Sequence, residues 1–141
     1  MNSIARFWEE MAAYDLETAS ILLDADKLLY VGLMCHKSIE KILKAVIAAK
    51  FPDRPVPISM NLTILIKDTD LAGDLDEDKR TLLNTLNRLQ LEAGYPTIDT
   101  NILDWLSAAQ CGKLIEETRK LYGWIVKTSV NRRKLDANTR G

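Results

Sequence analysis

From Ile4 to Val31 the chain holds neither glycine nor proline, and apolar side chains return every third or fourth residue. That interval is the period of one helical face, not the alternation of a strand. It recurs along the chain and constrains the fold more than any other feature. Ile4, Phe7, Trp8, Met11, Tyr14, Ala19, Leu22 and Leu23 share the first stripe. Glu9, Glu10, Asp15 and Glu17 fill much of the polar side. Ser3 is placed to cap this helix, which is expected to run to about Lys27 before a turn at Leu28–Tyr30.

The next stretch, Val31 to Lys50, repeats the pattern with Val31, Met34, Cys35, Ile39, Ile42, Leu43, Val46 and Ile47. Phe51 and Pro52 end it, because proline disfavours helical geometry in the residue before it. Three prolines make Pro52–Ser59 a loop. Asn61 then caps a short helix carrying Leu62, Ile64, Leu65 and Ile66, which ends before Gly73. The acidic run Asp74–Asp78 suits the start of a helix holding Leu82, Leu83, Leu86 and Leu89, with Leu91 as a further candidate. Gly94 and Pro96 stop that helix and open a loop to Thr100. A last long helix is expected from about Ile102 to Val130, with Gly112 and Gly123 inside it to admit a neighbouring helix. Each helix has one apolar face to bury. The expected fold is therefore all-α, an up-and-down bundle of four long helices and one short helix.

At 141 residues the chain suits a single domain, here 1–130, followed by a tail. Residues 131–141 carry Arg132, Arg133, Lys134 and Arg140 against Asp136, and are expected to be basic and frayed. The formal net charge of −1 predicts no general attraction to nucleic acid or membrane. No signal peptide and no membrane-length apolar run is seen. Cys35 and Cys111 form no C-x-x-C pair and read as reduced core residues, so a cytoplasmic location is expected.

Little in the sequence carries chemistry. One histidine and two separate cysteines cannot complete a tetrahedral zinc site. The Glu-x-x-His pair of carboxylate-bridged metal bundles is absent, so no metal or other cofactor is expected. Neither G-x-G-x-x-G nor G-x-x-x-x-G-K-[ST] occurs, which excludes those phosphate cradles. Asp76 and Asp78 read as helix-opening acids rather than metal ligands. What remains is the polar stripe of the second helix. His36, Glu40 and Lys44 stack at i, i+4 and i+8, with Lys37 and Lys41 on the adjacent line. Such a stripe is either a solvated face or a small positive surface for a phosphate or an acidic partner.

The run MCHKSIEKILKAVI within this helix resembles the HEPN domain (higher eukaryotes and prokaryotes nucleotide-binding), at Glu40, Lys41, Leu43, Lys44 and Ala45. Tyr14-Asp15-Leu16 followed by Ala19 is similar to the family's opening. Tyr30 in the turn, Asn61-Leu62 before the short helix and Tyr95-Pro96 after the third long one follow in order. Met60 stands where relatives commonly place histidine, and Gly94 where they tend to place arginine.

The resemblance implies a helical bundle acting in toxin–antitoxin-like systems. Many members are ribonucleases that use Arg-x(4–6)-His across a dimer interface. Here the sole histidine is His36, and Leu29, Tyr30 and Val31 occupy the arginine positions. The expectation is thus a non-catalytic homodimer that binds a nucleotide, RNA or a separate small nucleotidyltransferase through His36, Lys37, Glu40, Lys41, Lys44 and Tyr95. The alternative is an atypical ribonuclease with a dimer-composite site, using His36 with Arg88 or Lys41. Trp8, Trp105 and Trp124 are further candidates for an interface.

Overall fold

The structure, a computed structural model, describes residues 2–94 and 106–140. These residues form helices without a strand: α1 (Ser3–Asp24), α2 (Leu29–Lys50), α3 (Leu62–Lys67), α4 (Glu77–Gly94) and α5 (Ala108–Arg140). A 3-10 turn at Ala72–Asp74, not anticipated from the sequence, joins α3 to α4. Four long helices and one short one make the all-α bundle that the spacing predicts. No helix among the described residues is long and apolar enough to cross a membrane.

α2 is the central element and packs against each of the other four α-helices. It therefore buries more than one stripe: Val31, Cys35, Ile39, Ile42, Leu43 and Ile47 on the expected face, and His36, Ser38, Glu40 and Lys44 besides. α1 lies antiparallel beside it, after a connection in which Asp26 adopts a left-handed φ of 59°. Alanine carries much of their contact, with Ala5, Ala12 and Ala19 fully buried. Small side chains let the two backbones approach, and Ser38 Oγ donates to the Ala12 carbonyl at 2.9 Å. At Gly32 a Cβ would meet Leu89 Cδ1 at 2.9 Å, so this glycine lets α2 and α4 close together.

Several boundaries differ from expectation for local reasons. Asn2, not Ser3, caps α1: its Oδ1 accepts from the Ala5 amide at 2.8 Å while Nδ2 donates to the Ala48 carbonyl at 3.0 Å. α1 ends at Asp24, short of Lys27. The last helix opens at Ala108, where Ser107 Oγ accepts from the Gln110 amide as its cap, and the earlier part of the span expected from about Ile102 lies outside the described residues. The basic segment expected to fray continues α5 through Arg140, and Arg132 pairs there with Asp74. Gly112 makes only ordinary contact with Leu23, and Gly123 faces open space. Neither is the close-approach glycine.

Candidate functional site

The i, i+4, i+8 line on α2 holds together as drawn from the sequence, but it lies inside the protein. His36 has no exposed surface, and Glu40 and Lys44 retain 7% and 5%. A solvated or docking face is thereby corrected to an enclosed polar chain. The His36 Nε2 lies 2.9 Å from the Met60 carbonyl oxygen. A carbonyl only accepts, so Nε2 carries the proton and donates. The other ring nitrogen, Nδ1, faces Glu40 Oε1 at 3.7 Å, and neither atom has a hydrogen-bond partner. Glu40 Oε2 accepts from Lys44 Nζ at 2.8 Å, and that ammonium sits 5.4 Å from the centre of the Trp8 ring.

Burial of charge at this density needs partners, and three neighbouring elements supply them. Trp8 of α1 covers Lys44. Asp15 of α1 takes Lys41 Nζ at 2.6 Å. The segment before α3 supplies Met60, and α4 supplies Asn87, whose Oδ1 accepts from the Leu62 amide at 3.0 Å and whose Nδ2 donates to Asn61 Oδ1. Burial drives the His36 pKa below its ordinary 6.5, outweighing the raising effects of the Glu40 carboxylate, the Met60 carbonyl and Asn87. Burial also pushes the Cys35 thiol up to about 11, leaving it a protonated core group beside Thr118.

Of the residues singled out from the sequence, His36, Glu40 and Lys44 come together. Lys41 turns aside to Asp15. Lys37 is half-buried and makes no ion pair with a described residue. Tyr95 and Trp105 lie outside the described residues. Asp15, Met60, Asn87 and Trp8 were not anticipated as its partners. Asp15 alone left a signal, being a carboxylate in line with Ala12 and Ala19 on the contact face. The larger cavities open elsewhere. One of about 340 Å³ is lined by Lys50, Phe51, Arg132 and Arg133, and one of about 540 Å³ lies between α4 and α5 beside Trp124. Among the described residues no group of three His, Cys, Asp or Glu side chains is placed to hold a metal ion.

A central helix enclosed by a bundle, with a charged chain sealed against its neighbours, defines an all-α helical-bundle domain. The family model described as the HEPN domain matches residues 5–129, and the chain belongs to that family. No curated protein and no solved structure matches it.

Proposed function

We propose that this HEPN protein is a non-catalytic binding component of a toxin–antitoxin-like system, working as a cytoplasmic homodimer with a separate small nucleotidyltransferase. The observation that carries this reading is the state of His36. The chain's sole imidazole has no exposed edge and spends Nε2 on the Met60 carbonyl. A general acid or base must reach the proton it moves, and this ring cannot reach a substrate while α2 is enclosed. Leu29, Tyr30 and Val31 at the arginine positions support the same conclusion. Any contact of the stripe with a nucleotide falls to Lys37, since Lys44 is covered by Trp8 and Lys41 is held by Asp15.

The test has two arms. Purified protein and its His36→Gln variant are incubated with total RNA, and each is run through gel filtration with the candidate nucleotidyltransferase. Intact RNA and a stoichiometric complex are expected. Metal-independent cleavage that disappears in His36→Gln would establish the ribonuclease alternative instead.

A further inference from the structure

The outer face of α1 carries apolar side chains where a surface helix is normally polar. Ile4, Phe7, Tyr14 and Ile21 are 55%, 55%, 67% and 58% exposed. With half-buried Met11 and Thr18 they fall at 4, 7, 11, 14, 18 and 21, the alternating three-and-four spacing of a coiled-coil seam. From Ile4 to Ile21 this ridge runs about 26 Å at 1.5 Å per residue. One margin of it is acidic. Glu10, Glu17 and Asp24 repeat every seven residues beside the seam, are exposed, and form no ion pair with a described residue.

We infer that this ridge docks an amphipathic helix of another protein, one whose apolar seam is flanked by lysine or arginine. The inference rests on the reading of this domain as a binding module and adds the surface and the chemistry of the partner. Charge selects the occupant. A second copy set antiparallel across a two-fold axis would bring the acidic margin against itself. A second copy set parallel would meet it with the positions of Trp8, Asp15 and Leu22, where no described residue projects an unpaired cation. The two ammonium groups that reach those positions, Lys44 at Trp8 and Lys41 at Asp15, are already held by Glu40 and by Asp15 itself. Neither self-pairing satisfies three carboxylates, whereas a basic-flanked helix neutralises them along their whole repeat and steers its own approach.

The probe is a fluorescein-labelled synthetic helix of three heptads, leucine at the seam positions and lysine on both flanks, titrated with the full chain by anisotropy. Tyr14→Asp should weaken binding about ten-fold or more, and E10K/E17K/D24K should reverse the preference toward a glutamate-flanked twin of the probe. Both variants change exposed side chains, so an unaltered circular dichroism melt accompanies the measurement. Equal affinity in the wild type and Tyr14→Asp, or indifference to the flanking charge, overturns the inference. So does a dimer by light scattering that Tyr14→Asp dissociates, since a second copy would then cover the ridge. A nucleotidyltransferase complex that survives Tyr14→Asp also removes this surface while leaving the binding-module reading intact.

Discussion

Lys41 Nζ lies 2.6 Å from Asp15 Oδ2, tying α2 to α1 through an ion pair whose two members are not equally buried. The carboxylate side chain is 6% exposed and the lysine side chain 18%. Removing the cation strands the more buried charge. Lys41→Met is therefore expected to destabilise the fold by about 3 kcal/mol. Asp15→Leu, which leaves the wetter partner, should cost less. The double variant D15L/K41M should recover most of the loss, because replacing both charges removes the desolvation penalty. Urea midpoints for the four proteins check the order.

His36 links stability to pH. Its folded-state pKa lies below 6.5, so the unfolded chain takes up a proton first as pH falls. Below that value the unfolded state is favoured progressively, until the folded ring also titrates. Stability contributed by neutral His36 is thus present above about pH 6.5 and is lost on acidification. His36→Gln, which keeps a donor for the Met60 carbonyl, should flatten the denaturant midpoint between pH 6.5 and the onset of carboxylate titration. A slope unchanged by the substitution would place the linkage in another group.

Two glycines should respond in opposite directions. An added methyl at Gly32 presses on Leu89 Cδ1 and Cβ, at 2.9 and 3.1 Å. Gly32→Ala is expected to lose about 1–2 kcal/mol, since overpacking outweighs the gain in helix propensity. Adding Leu89→Ala should produce a positive coupling in a double-mutant cycle. Gly123→Ala meets open space inside α5 and should gain about 1 kcal/mol. Thermal melts of the single variants decide the signs.

At the opening of α1, Asn2→Ala removes both the cap on the Ala5 amide and the bond to the Ala48 carbonyl. A loss of about 1 kcal/mol or slightly more is expected. Ser3→Ala, one residue on, should be close to neutral. Chemical denaturation of the two variants side by side separates them.

The helices were legible because their spacing repeats, and α4 buries Leu82, Leu83, Leu86 and Leu89 as their intervals imply. Which face each helix turns inward was less legible. Period reports which side chains share a stripe, not which stripe meets a neighbour. Ile4, Phe7 and Tyr14 are strong hydrophobic signals, yet the contact with α2 falls to Ala5, Ala12 and Ala19, whose value is small size rather than apolar area. On α2 the opposite holds. His36, Glu40 and Lys44 read as a wet face because such residues usually are, and only enclosure by α1, α3 and α4 makes them interior. Their alignment could be read from the sequence, whereas their partners required the packing.

The placement of the Trp8 ring has an optical consequence. Its indole rests 5.4 Å from the Lys44 ammonium and also meets Phe7 edge-to-face, with ring centroids 5.6 Å apart. One fluorophore therefore borders both the sealed interior chain and the apolar ridge. A neighbouring cation and the wetness of the surroundings both alter indole emission, so separation of α1 from α2 and occupation of the ridge should leave different spectral signatures. Trp124 stands near Lys79 at the far groove, and replacing both Trp124 and Trp105 with Phe would leave Trp8 as the only indole in the chain. The protein thus carries a native reporter at the junction of its structural lock and its outward face.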